Sequence, residues 1–391
     1  MVRMATREER IPVKSAVYLA KVGDYDPEIL DDALSAGLSE IAFPVSASLT
    51  TDSSLLLKPN LLAPSSPESA VCTQAEIVAS TIRVLRSRGY GELSAGDGPA
   101  LHSTLAAARA CGILDLLGDL DVPLLPFSEN VSAPYPGGRV LREIPLARPV
   151  VDSDAVISLA RLKTHGLTRF SGVCKNLFGC VAGTIKASMH FRYHRRETFE
   201  RMLADIVAYL RPPLSLLDGI ISMEGRGPRA GKPRRTGFIL LGPDPVAVDA
   251  TACRLVGIEP ERVLHLRYAA EAGAGVLEDS RIEVIGADPA DLALRDFLTA
   301  PEPVAPTGPA PGTLVGLLRR LVLPVPRIDG RRCNTCGDCV EICPTSALES
   351  RSPAAPTADA NRCIGCRCCE EVCPSDAIRV QRGLSGWRAT I

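Results

Sequence analysis

"DAVISLARLKTHG" spans residues 154–166, and its apolar run ends at a lysine, a threonine and a histidine. A short apolar run bounded by polar residues is typical of a strand buried in a parallel sheet. Outward from it, similar runs alternate with segments of helical periodicity between residue 14 and about residue 290. This alternation predicts an α/β domain with a large, mostly parallel sheet and helices on both faces.

The individual elements follow the same reading. Helices are predicted at 26–38, at 73–89 with Thr73 and Glu76 spaced as a capping box, and at 244–257. The other predicted strands are "SAVYLAKV" (15–22), "SSLLLKPN" (53–60), "ELSAGDGP" (92–99), "VPLLPF" (122–127), "LSLLDGI" (214–220) and "TGFILLGPD" (236–244).

The overall charge excludes some partners. The 391 residues contain 44 Lys and Arg against 45 Asp and Glu, so the sequence predicts no global attraction to nucleic acid or to a membrane. The first twenty residues place charges where a signal peptide needs an apolar run, and no stretch is apolar for long enough to span a bilayer. We therefore expect a cytoplasmic protein without a membrane span.

A proline-rich stretch divides the chain. Five of the eleven residues from Pro301 to Pro311 are proline, which is too stiff and donor-poor for a helix or strand. We predict a ligand-binding or catalytic α/β domain at 1–300, a linker at 301–330 and a small α+β domain at 331–391. Within the linker, "TLVGLLRRLVL" (313–323) predicts a short apolar helix, packed on the main domain or touching a membrane surface.

Nine of the fourteen cysteines lie between residues 333 and 373, in "CNTCGDCVEICP" (333–344) and "CIGCRCCEEVCP" (363–374). Two such runs have the spacing of bacterial two-cluster ferredoxins, in which the fourth cysteine of each run binds the other cluster. The small domain should therefore be ferredoxin-like, with two [4Fe–4S] clusters as cofactors. The predicted ligands are Cys333, Cys336, Cys339 and Cys373 for cluster 1, and Cys363, Cys366, Cys369 and Cys343 for cluster 2.

Two points about the cysteines stay open. Paired zinc sites are an alternative, although zinc does not require the third cysteine of each run or the Cys-Pro ending. Cys368 is an additional thiol beside a ligand, interpreted as a bystander, with ligand exchange or sensitivity to oxidation as alternatives. Cys174 and Cys180 are interpreted as buried free thiols without a catalytic role.

Polar residues follow most of the predicted strands. In open α/β sheets, ligands bind beyond the carboxyl ends of the strands. If the strands are parallel, five turns converge on one crevice; for any one of them, ordinary solvated loop chemistry is the alternative. These turns are Lys58-Pro59-Asn60, Gly96-Asp97-Gly98-Pro99, Lys163-Thr164-His165, Asp218-Gly219 and Pro243-Asp244-Pro245.

A local excess of positive charge adds to this picture. Residues 161–201 hold nine Lys or Arg against two Glu, together with His165, His190 and His194. Such a stretch indicates an anionic ligand or the docking of an acidic electron donor, and a solvated helix surface accounts for Arg195, Arg196 and Arg201. Lys163, His165 and Lys175 lie among apolar and glycine residues, which the solvated-surface interpretation explains poorly.

The glycine-rich stretch "GRGPRAGKPRR" (225–235) is not a Walker A loop, because Arg226 and Pro233 occupy positions that need Gly and Ser or Thr. It is either a flap that brings Glu224 and Arg226 over a ligand or a hairpin connection. No G-x-G-x-x-G follows a predicted strand, so electrons are expected from another protein and not from a Rossmann-bound nucleotide.

The motifs "LLLKPNLL", "GDGP", "LARLKTHGLTRFSGVCKNLFGCVAG" and "DGIISMEGRGPRAGKPRRTGFILLGPDPVAVDATACRLVGI" together resemble the family called domain of unknown function 362. The resemblance covers roughly residues 14–290 and the cysteine module, which members commonly carry. It implies an iron–sulfur protein with a shared ligand site at Lys-Pro-Asn (58–60), Lys-Thr-His (163–165), Lys-Asn (175–176), Glu-Gly-x-Gly-Pro (224–228) and Asp-Pro-Val-Ala-x-Asp (244–249).

These observations lead to three functional hypotheses. The first is a reductase that passes electrons from an external protein to an anionic carbonyl, enoyl or unsaturated acid. Its predicted catalytic residues are Lys163, His165, Lys175 and His190, with a histidine tuned near neutral pH as proton donor. Its predicted substrate-binding residues are Lys58, Asn60, Asp97, Asn176, Glu224 and Arg226. The others are an electron-transfer adaptor without enzymatic activity, and a non-redox enzyme with supporting clusters. Asp249 is expected either to orient the predicted catalytic and binding side chains or to fix the end of a helix.

Overall fold

The computed structural model describes residues 14–44, 49–183, 185–300 and 325–381. The expected Pro-rich segment 301–311 and helix 313–323 lie outside these residues, as do 382–391. In the part of the chain that is described, no helix is long and apolar enough to cross a membrane.

The larger domain alternates strands and helices in the predicted order. Its strands are β1 (Ser15–Lys21), β2 (Leu55–Pro59), β3 (Leu93–Asp97), β4 (Leu124–Pro126), β5 (Asn130–Pro134), β6 (Glu143–Ala147), β7 (Ala155–His165), β8 (Arg169–Ser171), β9 (Leu214–Glu224), β10 (Lys232–Gly242) and β11 (Ile282–Gly286). Its helices are α1 (Pro27–Glu40), α2 (Ala75–Ser87), α3 (Thr104–Ala110), α4 (Ile113–Asp119), α5 (Arg148–Asp152), α6 (Val173–Asn176), α7 (Ile185–Arg192), α8 (Arg196–Leu210), α9 (Pro245–Leu255), α10 (Leu264–Glu271) and α11 (Pro289–Leu292).

One mixed sheet organises this domain. Its strand order is β11-β1-β10-β9-β7-β2-β3-β4, with β8 paired to β7. Strands β9, β7, β2, β3 and β4 run parallel to one another, so their carboxyl ends meet at one edge. Apolar side chains are buried on both faces, one against α1 and α2 and the other against α8, α9 and α10. The predicted fold class, a mostly parallel sheet covered on both faces, is confirmed.

Two of the five turns expected at this edge lie elsewhere. Strand β10 is antiparallel to β9 and β1, so Pro243-Asp244-Pro245 lies at the opposite edge, where Asp244 caps α9 and accepts a hydrogen bond from Ser15. Asp218 lies inside β9, which continues to Glu224, and it pairs with Arg161 of β7 at 3.2 Å. The expectation failed because strand direction and strand length depend on pairing partners that lie far away in the sequence.

The predicted capping box of α2 was also wrong. The residue before this helix is Gln74, which makes no capping hydrogen bond. The Thr73 hydroxyl instead donates to the Leu159 carbonyl at 2.8 Å and accepts the Asn60 amide at 2.8 Å. Thr73 therefore ties the end of β2 to β7, next to the edge where the parallel strands end.

The small domain is built from two short antiparallel strand pairs and two short helices. Its elements are β12 (Val325–Ile328), α12 (Asp338–Glu341), β13 (Leu348–Arg351), β14 (Ala354–Ala358), α13 (Cys368–Val372) and β15 (Ile378–Gln381). Strand β12 pairs with β15, and β13 pairs with β14. Residues 325–328 were expected to belong to the linker, but they form a strand of this domain.

Candidate active site

A cavity of about 110 Å³ lies at the carboxyl edge of the parallel strands, between the two domains. The α/β domain supplies most of its wall, and the small domain closes the remaining side. The α/β side includes Asn60, Asp97, Lys163, Lys175, Asn176, Lys186, His190 and Arg229, and the small-domain side is formed by Ile342, Cys368, Glu371 and Val372. A ligand in this cavity would therefore touch both domains.

Lys58 and Asp97 form a buried ion pair beneath the cavity. The Lys58 ammonium lies 2.7 Å from Asp97 and donates to the Asn176 side-chain oxygen at 2.9 Å. The Asp97 carboxylate also accepts the amides of Leu61 at 2.6 Å and Gly98 at 2.8 Å. Lys58 compensates the burial of Asp97, and the pKa of Asp97 stays below its usual value despite that burial. Three of the predicted residues, Lys58, Asp97 and Asn176, thus lie together, and Asp97 already neutralises the charge of Lys58.

Gly179 permits this close packing. A Cβ atom at this position would lie 2.1 Å from an Asp97 oxygen and 2.3 Å from the Lys58 ammonium. Any side chain there would displace one of the two buried charges, so the position requires glycine.

Lys163 reaches the cavity from the end of β7. Its ammonium donates to the side-chain oxygen of Asn60 and to the Val71 carbonyl at 2.7 Å, and the side chain is 2% exposed. Burial lowers the pKa of Lys163 to about 7, with the neighbouring Lys175 and Arg161 acting in the same direction. Lys163 is therefore able to exchange a proton near neutral pH.

Lys175 lies on the short helix α6, which Asp249 fixes in place. The Asp249 carboxylate accepts the amides of Val173 at 2.8 Å and Cys174 at 2.9 Å, so it caps the helix, the second of its two expected roles. Among the described residues, the Lys175 ammonium has no hydrogen-bond or ion-pair partner, while Lys58 and Lys163 have theirs. Burial lowers the pKa of Lys175, and the Glu371 carboxylate opposes that shift. Lys175 is thus the cavity lysine that is available to a ligand anion.

Helix α7 covers the cavity with Lys186 and His190. The Lys186 ammonium donates to the Gly98 carbonyl, and burial lowers its pKa to about 8. The His190 ring stacks on Phe199 with centroids 4.3 Å apart, and burial lowers its pKa to about 4. His190 is therefore neutral at pH 7, in contrast to the near-neutral tuning expected from its lysine neighbours. Burial outweighs the other effects on this ring.

His165 does not line the cavity. Its Nδ1 accepts the amides of Leu167 at 3.1 Å and Thr168 at 3.3 Å, which places the ring proton on Nε2. Nε2 lies 3.6 Å from a carboxylate oxygen of Glu371 in the small domain. Burial lowers the pKa of His165 to about 4, so this ring is also neutral at pH 7. His165 is linked to the cavity through Glu371, which lines it.

Glu224 and Arg226 lie outside the cavity. The loop between β9 and β10 is a hairpin connection that contacts the small domain. Arg226 bonds there to Glu370 and Asp376, each at 2.8 Å, and Glu224 accepts the Leu298 amide at 3.1 Å. Arg229 on the same loop does line the cavity, held by Asp338 at 2.7 Å.

The structure brings each predicted set of four cysteines together around its own cavity. Cys333, Cys336, Cys339 and Cys373 line one, and Cys343, Cys363, Cys366 and Cys369 line the other. Backbone amides point at the sulfurs, from Ala347 to Cys343 at 3.2 Å and from Ala377 to Cys373 at 3.3 Å. Four thiols around a cavity, with backbone amides donating to their sulfurs, fit an iron–sulfur cubane.

Several cavity residues were not among the predicted ones. Lys186, Arg229 and Glu371 line the cavity, and so does Cys368, interpreted from the sequence as a bystander. Lys186 was counted only as part of the basic segment. Glu371 and Cys368 follow from the cysteine motif, but their position at the cavity depends on how the small domain docks, for which the sequence carries no local signal.

Comparisons with known proteins support this architecture. The family model described as "Domain of unknown function (DUF362)" matches residues 55–254, and the model described as "4Fe-4S dicluster domain" matches residues 332–377. The chain is 36% identical over 217 residues to the "Thylakoid-associated protein sll1697" of Synechocystis sp.. That alignment covers 54% of this chain and 64% of the relative, so the chain spans less than two thirds of the relative's length.

Proposed function

Since the chain belongs to the family described as domain of unknown function (DUF362) and residues 332–377 are a 4Fe-4S dicluster domain, we propose that it is an iron–sulfur oxidoreductase. Its substrate would be an anionic carbonyl, enoyl or unsaturated acid bound in the cavity between the domains. The observation that carries the proposal is the shared cavity, in which cationic side chains of one domain face Cys368 and Glu371 of the iron–sulfur domain.

The proposal includes two [4Fe–4S] clusters, one in each four-cysteine cavity. Clusters bound there would supply electrons one at a time. The amides that point at Cys343 and Cys373 would stabilise the negative charge of the sulfurs. The dicluster match favours iron–sulfur centres over the zinc alternative. The cytoplasmic location remains a prediction.

The cavity residues would bind and orient the substrate. Lys175, which has no partner among the described residues, would hold its anionic group, with Arg229 at the rim. Lys163, whose pKa is lowered to about 7, would hold a proton at its Nζ for the reduced atom. Lys163 thus takes the role of proton donor that was expected of a histidine, because the pKa values of His165 and His190 fall to about 4.

The electrons and protons of the reaction balance when an external protein donates the electrons. Reduction of one C=O or C=C bond consumes two electrons and two protons. Two molecules of a one-electron carrier would each lose one electron, one proton would come from the Lys163 ammonium, and the second would come from solvent. Lys163 would then recover its proton from solvent, which its pKa near 7 permits.

The proposal is tested by reoxidation of the reduced protein. Anaerobic, dithionite-reduced protein is mixed with pyruvate, fumarate or crotonate, and the return of cluster absorbance is followed by stopped flow. We expect at least one acid to reoxidise the protein, and Lys175→Gln to slow this by about 100-fold or more, as loss of a charge-assisted contact does. Lys21→Gln, an exposed lysine on β1, is the matched control.

The electron-transfer adaptor makes the opposite prediction. In that case none of the acids reoxidises the protein, and Lys163→Ala and His165→Ala leave both reduction by dithionite and docking of a redox partner unchanged. That result would replace the reductase proposal.

A further inference from the structure

The two four-cysteine cavities have different neighbours. The cavity of Cys343, Cys363, Cys366 and Cys369 shares a wall residue, Cys368, with the candidate active site. Cys368 is 3% exposed and begins α13, which also carries Glu371 and Val372 into the active-site wall. One thiol side chain thus lies against both the cysteine-lined cavity and the active-site cavity.

The cavity of Cys333, Cys336, Cys339 and Cys373 has no such common wall with the active site. Within the described residues, it shares no lining residue with the active-site cavity. Its lining includes Asn334, Thr335 and Cys336, all of which are exposed. Cys336 is the exposed one of the eight ligand cysteines, since the other seven are buried or half-buried.

The corresponding loops of the two motifs explain this difference. In the second motif, Arg367 follows Cys366 and donates to the Gly166 carbonyl of the α/β domain at 3.1 Å, so the loop 363–367 is held against that domain. In the first motif, Gly337 stands in the place of Arg367, and the contact with the α/β domain comes one residue later, where Asp338 pairs with Arg229 at 2.7 Å. Residues 334–336 precede this contact and are exposed.

We propose that the exposed loop Asn334-Thr335-Cys336 is the surface where an external one-electron carrier protein docks, and that electrons leave toward the substrate at the Cys368 wall. This inference rests on the proposed function and adds the direction of electron flow through the small domain. In each encounter the carrier is oxidised by one electron and this protein is reduced by one. Two encounters supply the electron pair that one substrate molecule needs.

The exposed loop 334–336 gives a partner protein access to the first group of four cysteines. Electron transfer between proteins needs close approach of the two redox centres, and the loop 334–336 is the exposed side of the four-cysteine sets. The opposite side of the domain, at α13, is covered by the α/β domain through Arg226 and Glu370 at 2.8 Å. A carrier seated on the exposed loop would leave the active-site cavity free for its ligand.

The experiment uses the full chain and two non-ligand substitutions. The dithionite-reduced protein is examined by electron paramagnetic resonance with and without dysprosium(III)–EDTA, a soluble relaxing agent. Thr335→Tyr is designed to alter the signal of the cluster beside the exposed loop 334–336. Cys368→Ala is designed to alter the signal of the cluster beside the active-site wall. We expect the agent to accelerate relaxation of the signal that Thr335→Tyr alters, and to affect much less the signal that Cys368→Ala alters.

A second measurement tests docking. Reduction by a purified small [2Fe–2S] ferredoxin is followed by stopped flow, and we expect Thr335→Tyr to lower the second-order rate constant on the order of tenfold. Thr357→Tyr, an exposed threonine on β14, is the matched control, and reduction by dithionite should be unaffected.

The proposal is overturned if both substitutions alter the same signal, if the agent relaxes both signals equally, or if Thr335→Tyr leaves the ferredoxin rate unchanged. Failure of the proposed function would look different. In that case no acid reoxidises the protein, while the assignment of an outer and an inner signal still holds. If Cys368→Ala does not fold, Cys368→Ser provides the same assignment.

Discussion

The α/β domain and the small domain are held together by different interactions. In the α/β domain, Leu55, Leu56 and Leu57 of β2 are each 0% exposed, between apolar layers on both faces of the sheet. In the small domain, the buried apolar cluster is formed by six residues, half of which are cysteines: Cys339, Leu348, Cys369, Cys373, Ala377 and Ile378. The first region is stabilised by apolar burial and the second by ligation of its thiols.

Iron removal should reveal the largest difference in stability between the α/β domain and the small domain. Treatment with an iron chelator under reducing conditions should leave the α/β domain folded, whereas residues 325–381 lose their ordered structure. Hydrogen exchange measured by mass spectrometry should show almost complete loss of protection in β13 and α13, with β2 and β7 unchanged. Equal loss of protection in both regions would contradict the comparison.

Loss of a buried charge should have the next largest effect, and it should be confined to the α/β domain. Lys58→Met leaves the Asp97 carboxylate buried without its cation, which we expect to cost about 3–5 kcal/mol in the free energy of unfolding. Urea titration followed by circular dichroism measures this cost. Lys21→Met is the control for an exposed lysine, and adding Asp97→Leu to Lys58→Met should recover part of the loss.

The ion pair between the two domains should contribute less to stability than the buried pair of Lys58 and Asp97. Arg226 and Glu370 form a half-buried pair across the interface, so a double-mutant cycle with Arg226→Ala and Glu370→Ala should give a coupling energy of about 1.5 kcal/mol. The measured quantity is the unfolding midpoint of the small domain. Arg234→Ala with Asp296→Ala provides a matched pair inside the α/β domain and should leave that midpoint unchanged.

The smallest predicted effect is a pH dependence of ligand binding in the cavity. Burial lowers the pKa of Lys163 to about 7, so its ammonium is charged below that pH and loses the proton above it. Pyruvate affinity, measured by calorimetry on the oxidised protein, should therefore fall about fivefold from pH 7 to pH 8. Lys163→Gln should bind more weakly at pH 7 and lose less affinity by pH 8, with the remaining loss due to Lys186, whose pKa burial lowers to about 8. A rise in affinity with pH would give the opposite sign and exclude this role.

The sequence predicted local features well and long-range ones less well. The cysteine spacing predicted the two groups of four cysteines that line separate cavities in the structure, because the motif itself sets the loop geometry. Lys58, Asp97 and Lys163 also converge as expected, since each lies within the last three residues of a parallel strand. Asp244 does not, because the reversal of β10 has no signature in its own residues.

The domain interface explains the remaining differences. Arg226 and Arg229 lie three positions apart on one loop, and nothing in their sequence indicates that Arg226 faces Glu370 and Asp376 while Arg229 lines the cavity. The pKa values of His165 and His190 depend on burial by both domains in the same way. Such properties are determined by docking, which residue patterns along the chain do not encode.

Each four-cysteine group takes three members from one motif and its fourth from the other, Cys373 for the first group and Cys343 for the second. Damage to either motif, by mutation or by oxygen, therefore harms both groups together. A population short of iron should consist of complete and empty molecules with few half-filled ones. The protein would then respond to iron scarcity through the number of working copies, while each surviving copy keeps its full capacity.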